Sequence, residues 1–268
     1  MDGIYQEESK IRIPKKIHYC WFGGNPLPKA AQKCIDSWKK YFPDYEIIRW
    51  DESNYDVQKI EYIAQAYQAK KYAFVSDYAR FDILFHEGGI YFDTDVEVVR
   101  SYDDILERGT FFGCEIDGLI PKNQQGESLA EKAYGEFAIR VNPGLGMASE
   151  PGNHFYKEFL DFYENHFFYK PDGTINSMAV VRITTNLLVK HGLKDKQGIQ
   201  VVDHITIYPA EYFNPLDGNT GIVHKTENTH SIHWYSLSWM SPMKRMGVTC
   251  RRFLRKLQKG IKNGKKRY

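Results

Sequence analysis

Two acids, Asp93 and Asp95, stand one residue apart directly after the apolar run Ile90-Tyr91-Phe92. A short apolar run of this kind reads as a strand, and a strand that ends in two carboxylates places both at the lip of a sheet. Carboxylates at i and i+2 offer hard oxygen ligands to Mg²⁺ or Mn²⁺ and leave other coordination positions open for water and phosphate oxygens. A diphosphate is the expected partner. Asp-x-Asp alone is a weak signal, because surface turns generate it often. The preceding residues strengthen it. Between Tyr72 and Phe92, apolar residues at Ala73, Phe74, Ala79, Phe81, Ile83, Leu84 and Phe85 predict a mostly buried helix. That helix carries Asp77 and Arg80 at i, i+3 on one face, and Gly88-Gly89 ends it. An exposed Asp/Arg pair is the plain alternative, but these charges interrupt an otherwise apolar helix just before the acidic strand end.

The elements that must position these residues follow from apolar periodicity. Residues 16–22 read as a first strand, 28–41 as a helix, 45–50 as a second strand and 51–53 as its exit turn. Strands alternating with helices imply a largely parallel sheet, with the ligand site at the carboxyl ends of the strands. Trp21 and Asp93 both fall at such ends. Residues 117–131 are polar and glycine-rich, and read as a long loop, either a lid or a plain surface connection.

With 268 residues, 42% of them hydrophobic and 15% aromatic, the chain can bury one sizeable α/β core. No Pro/Gly/Ser linker separates residues 11–243, so one catalytic domain is expected over 1–243, with a nucleotide-sugar half near 11–115 and an acceptor half near 116–243. No apolar run approaches the ~18 residues needed to span a bilayer, and the polar N-terminal stretch has no signal-peptide core, so a cytoplasmic location is expected. Cys20, Cys34, Cys114 and Cys250 lack metal-site spacing and read as reduced thiols.

Charge divides the chain. Residues 244–268 hold eleven Lys/Arg and no acid, which leaves 25 basic against 34 acidic residues before them. Phe253, Leu257 and Ile261 recur at i, i+4, i+8 among those basic residues, so the tail reads as a basic amphipathic helix suited to an anionic membrane surface. Docking of the tail on the acidic body is the alternative. Nucleic acid is not an expected partner, because the body is acidic and no nucleic-acid motif accompanies the tail.

The run SDYARFDILFHEGGIYFDTDV, residues 76–96, resembles the sugar-binding region with DXD motif of glycosyltransferase family 32. That family includes bacterial capsular-polysaccharide transferases and yeast initiating mannosyltransferases, and the run is also similar to the glucosyltransferase domain of the clostridial cytotoxins. The resemblance extends to Ile13–Gly24, Trp38 and the block His233–Trp239, covering most of residues 11–240. It implies a GT-A fold, a single Rossmann-like α/β domain with a mostly parallel central sheet, followed by the basic helical tail. It further implies a metal-dependent, retaining transfer of a hexose or N-acetylhexosamine from a nucleotide-sugar, with a UDP-sugar as the expected donor. The expected acceptor is a glycan, a lipid-linked oligosaccharide of capsular polysaccharide among the candidates, reached from the inner face of the plasma membrane.

The resemblance also implies roles for single residues. Trp21 would stack on the base, a contact on the scale of about 1 to 3 kcal/mol. Asp77 would accept hydrogen bonds from ribose or sugar hydroxyls, and Arg80 would reach the sugar or diphosphate. Asp93 would hold hydroxyls while touching the metal, and Asp95 would be the main ligand. The cytotoxins place a Glu in the C-terminal block where this chain has no acid; His233 is the candidate third ligand, since imidazole suits Mn²⁺. Trp239 would donate to the leaving β-phosphate, with Ser236 or Ser238 assisting. Asn142 and Asn186 are candidate sugar or acceptor contacts.

Other classes fit less well. A haloacid-dehalogenase-like phosphatase usually has its first Asp after the opening strand and Thr or Val at +4, whereas 92 residues precede Asp93 here and Glu97 fills that slot. A toxin-like effector that glycosylates a protein shares the site. A glycan-binding module explains the aromatics but not Asp77, Arg80, Asp93 and Asp95 together.

Overall fold

The computed structural model describes residues 13–118, 138–176, 178–236 and 246–247. Most of the 117–131 stretch, Ser238, Trp239, Cys250 and nearly all of the basic tail lie outside them. The strands are β1 (Lys16–Cys20), β2 (Glu46–Trp50), β3 (Gly89–Tyr91), β4 (Val96–Val98), β5 (Phe111–Asp117), β6 (Ile139–Val141), β7 (Met147–Ser149), β8 (Gln200–Val202), β9 (Ile205–Tyr208) and β10 (Ser231–His233). The helices are α1 (Lys29–Tyr41), α2 (Glu61–Gln68), α3 (Tyr72–Glu87), α4 (Asp103–Leu106), α5 (His154–Glu164), α6 (Val180–Lys190) and α7 (Ala210–Phe213). No helix among the described residues is long and apolar enough to cross a membrane.

The central sheet runs β2-β1-β3-β7-β5-β9-β8, with β6 also on β5. Strands β1, β2, β3, β5 and β9 run the same way; β6, β7 and β8 run against them. The mixed α/β architecture is therefore mostly parallel, as expected, with β7 reversed in the middle of the sheet. A second, two-stranded sheet pairs β4 with β10.

Both faces of the main sheet are covered, which is why β3 is apolar at every position. Ile90 and Phe92 enter a core shared with Trp38, Phe42 and Tyr102, while Tyr91 enters the opposite core with Phe81, Phe112 and Tyr156. Alternation of side chains across a strand sends neighbours to opposite cores. The free thiols Cys20, Cys34 and Cys114 are buried.

The turn from α3 into β3 needs both of its glycines. Gly88 and Gly89 sit at φ 63° and 97°, in the region that favours glycine. A Cβ at Gly88 would lie 2.7 Å from Pro151, and one at Gly89 would lie 2.7 Å from the Lys16 carbonyl. Below this turn lies His18, fully buried. Its Nδ1 accepts from the Trp50 indole at 3.0 Å, so the proton sits on Nε2, which donates to the Gly88 carbonyl at 3.0 Å. One imidazole thus ties β1 to β2 and to the turn that launches the acidic strand.

Burial lowers the His18 pKa to about 4, from an ordinary value of 6.5. The folded protein holds this ring neutral where the unfolded chain would protonate it. Its contribution is full above pH 6.5 and is lost as pH falls toward 4, by up to about 3 kcal/mol. Urea melts should show His18→Gln less stable than wild type at pH 7.5, with the gap closing toward pH 4; a gap independent of pH would refute the neutral buried ring.

Candidate metal and sugar-diphosphate site

Strand β3 continues through Phe92, whose N–H bonds the His18 carbonyl at 3.1 Å, and then turns sharply. The Val96 N–H closes the turn onto the Asp93 carbonyl at 3.0 Å, and α1 fixes the strand beyond it. The Trp38 indole donates to the Val96 carbonyl at 2.8 Å, and the Ser37 hydroxyl accepts from the Val98 N–H at 2.9 Å. Antiparallel pairing of β4 with β10 then sets His233 opposite Val96. Just beyond the strand, the N–H of Trp234 bonds the Asp95 carbonyl at 2.9 Å and the N–H of Ser236 bonds the Asp95 carboxylate at 2.7 Å.

The result is one point of convergence. Ligand atoms of Asp93, Asp95 and His233 all lie within 4.8 Å of one another, the one group of three or more such residues found among the described residues. His233 presents Nε2, 3.1 Å from Asp95 Oδ1 and 3.8 Å from Asp93 Oδ2. Its ring stands edge-on to Tyr235 at 4.2 Å. The imidazole is buried and its Nδ1 has no hydrogen-bond partner, so the exposed chemistry of the ring is at Nε2. Two carboxylates and one imidazole form a donor set that fits Mn²⁺ or Mg²⁺, with room left for other oxygens.

Three carboxylates, Asp77, Asp93 and Asp95, face two basic groups, Arg80 and His233. Burial works against an imidazolium at His233, but Asp95 and Asp93 outweigh it and push the His233 pKa up to about 10. Burial likewise disfavours the Asp95 anion, yet His233 and the Ser236 N–H hold that carboxyl well below the usual range. On the other flank, Arg80 reaches from α3. Its Nη2 lies 3.1 Å from Asp77 Oδ1 and 3.2 Å from Asp93 Oδ1, and its Nε donates to the Ser76 carbonyl at 3.1 Å. The guanidinium rests over the Tyr91 ring, 5.1 Å from its centroid. Burial disfavours its charge, but Asp93, Tyr91 and Asp77 more than restore it. Burial also pushes Asp77 up to about 6, against the pull of Arg80.

Arg80 is only 4% exposed. Its Nη2 lies between Asp77 and Asp93 and so sets the position of both carboxylates. Tyr91, whose hydroxyl donates to Asp93 at 3.3 Å, belongs to the same group, although its place in an apolar strand gave no sign of it.

A tight turn covers this flank. Pro143–Leu145 forms one 3-10 turn capped by the Asn142 side chain, whose Oδ1 accepts from the Gly144 N–H at 2.8 Å. Gly144 has no room for a side chain, because a Cβ would collide with Asp93 Oδ2 and lie 3.3 Å from Arg80 Nη1. Asn142 is thus brought to the site, but its amide shapes the turn and donates to Glu115 at 3.0 Å. Glu115 has no motif and was not legible in the sequence. Asn186 is not brought in. It lies on the exposed side of α6, whose Thr184 and Thr185 are buried, and forms no hydrogen bond or ion pair with the cluster. Ser236 contributes its main-chain N–H to Asp95. Ser238 and Trp239 lie outside the described residues.

Trp21 is half-buried at the end of β1, its indole donating to the Asn25 carbonyl at 2.6 Å. It borders a pocket of about 510 Å³ that also touches Pro28, Ala31, Asp95, Trp234 and Ser236. Asp77, Arg80 and Asp93 thus form one flank of the cluster, and on the Asp95 side lies a pocket with two indoles, Trp21 and Trp234, in its wall.

Residues 28–112 match the family described as a glycosyltransferase sugar-binding region containing a DXD motif. Over 118 residues the chain is 34% identical to inositol phosphoceramide mannosyltransferase 3 of Schizosaccharomyces pombe, covering 40% of this chain and 32% of that protein. It is 33% identical over 169 residues to the uncharacterized glycosyltransferase L373 of Acanthamoeba polyphaga mimivirus, covering 56% of this chain and 66% of that protein. Among solved structures, the PaToxG glycosyltransferase aligns at 18% identity and a TM-score of 0.44, over 66% of this chain and 69% of that one. The chain spans about a third of the length of the yeast relatives it matches. The matched region extends past β3 and its acidic turn, so this chain carries a glycosyltransferase sugar-binding region in which Asp93-Thr94-Asp95 is the DXD motif.

Proposed function

We propose that the chain is a metal-dependent, retaining glycosyltransferase that moves a hexose or N-acetylhexosamine from a nucleotide-sugar, UDP-linked in the first instance, to a glycan acceptor. The observation that carries this reading is the convergence of Asp93, Asp95 and His233 Nε2 between a charged flank and an aromatic pocket. A sugar diphosphate has the matching parts: hydroxyls, two phosphates and a flat base. The yeast relatives' names place mannose on the panel of donors to test. A role in surface or capsular polysaccharide synthesis rests on the family resemblance.

A Mn²⁺ or Mg²⁺ ion held by Asp93, Asp95 and His233 would supply Lewis-acid stabilisation of the departing diphosphate. The chain's own residues do the rest. Asp77, paired with Arg80, accepts hydrogen bonds from ribose or sugar hydroxyls. Arg80 fixes the Asp77 and Asp93 oxygens and keeps a positive charge beside them as negative charge develops. Gly144 lets the covering turn approach Asp93 closely. Retention through a front-side displacement follows from the family resemblance. In that course no side chain acts as nucleophile, and the departing diphosphate takes the acceptor's proton.

Asp95→Asn keeps an acceptor for the Ser236 N–H and removes the charge that a metal needs. It should abolish Mn²⁺-dependent release of UDP from a UDP-sugar. It should also erase the stabilisation that Mn²⁺ with UDP confers, about 2.7 kcal/mol when ligand stands at a hundredfold its Kd, and with it the rise in melting temperature. Turnover near the wild-type rate would sink the assignment.

Arg80→Lys keeps the charge but loses the Nε bond to the Ser76 carbonyl that aims Nη2 at both carboxylates. A misplaced Asp93 should lower kcat by about 100-fold with the fold intact by circular dichroism. A variant with unaltered kcat would show that Arg80 merely fills the core.

The basic tail is proposed to hold the enzyme on anionic membrane at the cytoplasmic face, close to a lipid-linked acceptor. Deleting residues 245–268 should leave hydrolysis of a soluble donor nearly intact while ending co-sedimentation with phosphatidylserine vesicles. Binding of the full chain to those vesicles should fall as salt rises, because charge is screened beyond about 8 Å at physiological ionic strength. Equal binding to neutral vesicles would contradict it.

A further inference from the structure

Trp234 directly follows the buried His233, yet it is 40% exposed. A large aromatic left in water adds little to the core and marks a place where something else is to pack. This one is also held in a fixed direction. Its main-chain N–H bonds the Asp95 carbonyl at 2.9 Å, and its indole N–H donates to a Glu97 carboxylate oxygen, also at 2.9 Å. The register explains the second bond: Glu97 faces Ile232 across the β4–β10 pair, so its side chain reaches a residue two places further along. The ring is therefore pre-organised without being packed.

Trp234 lines the pocket that Trp21 borders, together with Pro28, Ala31 and Cys34. Asp77, Arg80 and Asp93 do not line it. Asp77, Arg80 and Asp93 suit a ring carrying hydroxyls, whereas the pocket, which Lys33, Asp95 and Glu97 also line, offers two indoles to a flat heterocycle, which gains from stacking on any aromatic face.

We propose that Trp234 is a second aromatic contact for the donor's nucleobase, in addition to Trp21, and that Glu97 is its positioning residue through the indole hydrogen bond. This rests on the nucleotide-sugar reading of the same site.

Titration calorimetry with Mn²⁺ present tests it, using UDP and GDP as probes and inorganic pyrophosphate as the probe without a base. Trp234→Leu should weaken the nucleotide that binds wild type by about tenfold, the scale of one lost stack. It should leave pyrophosphate affinity and melting temperature unchanged, and Trp234→Phe should keep most of the affinity. Glu97→Leu should weaken the nucleotide by roughly threefold, and Glu97→Gln, which retains an oxygen acceptor for the indole, should restore it. Two results overturn the inference while leaving the donor reading intact. One is unchanged nucleotide affinity in Trp234→Leu alongside a loss in Trp21→Ala. The other is an equal loss for pyrophosphate, which would place the effect at the metal cluster. If wild type binds pyrophosphate but neither UDP nor GDP, the donor reading fails and this inference with it.

Discussion

Asp93 and Asp95 are like charges on a half-buried turn, and the surrounding structure offsets their repulsion with two cations. Arg80 comes from α3 and lies 3.2 Å from Asp93, while His233 comes from β10 and lies 3.1 Å from Asp95. Each cation is more than nine-tenths removed from solvent, a condition that disfavours it unless carboxylates compensate. The four groups therefore stabilise one another or not at all. Remove a cation and two partly buried anions face each other; remove an anion and a buried cation is left without its partner. A metal ion would enter this balance in place of the His233 proton, because an imidazole that ligates must be neutral.

The frame around the cluster makes that balance rigid. The glycine pair delivers β3 from α3 in two residues, so that Arg80 and Asp93, 13 residues apart in the chain, face each other across the turn. His18 locks that turn from below through the Gly88 carbonyl. Trp38 and Ser37 pin β4 from α1, and β4 in turn aligns β10. On the far flank, Glu115 steadies Asn142, Asn142 shapes the turn at Gly144, and Gly144 allows main chain to come against Asp93. Most of these bonds are buried and neutral. They hold geometry with little exposure to salt or solvent competition.

Catalysis proposed for such a site needs no acid, base or nucleophile drawn from the chain. It needs fixed charge where the diphosphate gathers its negative charge, and two differently built compartments to hold the sugar and the base in register. The charged flank and the aromatic pocket meet at the Asp95 turn, which is where a bond between a sugar and a diphosphate would have to lie. Trp234 and Ser236 come directly after His233, so one short segment both completes the ligand cluster and contributes a wall of the pocket.

The sequence by itself determined everything that depends on near neighbours. The apolar run Ile90–Phe92 forced a strand, its end delivered the two carboxylates, and i, i+3 spacing set Asp77 beside Arg80. Gly88-Gly89 announced the turn, and His233 was nominated from the resemblance of its block, where the family places a ligand and this chain has no acid. Tertiary structure alone decided what depends on distant segments. Helical spacing showed that Asn186 lies beside Thr184 and Thr185, but burial decided that those two turn inward and Asn186 outward. The reversed strand β7, the Glu115–Asn142 bond and the Tyr91 hydroxyl on Asp93 carry no local signature. Glu97 and the Trp234 indole are 137 residues apart, and nothing in either neighbourhood encodes the other. Local periodicity is fixed by backbone geometry over a few residues, whereas the choice of partner across such a distance depends on which surfaces bury each other best when the whole chain is compact.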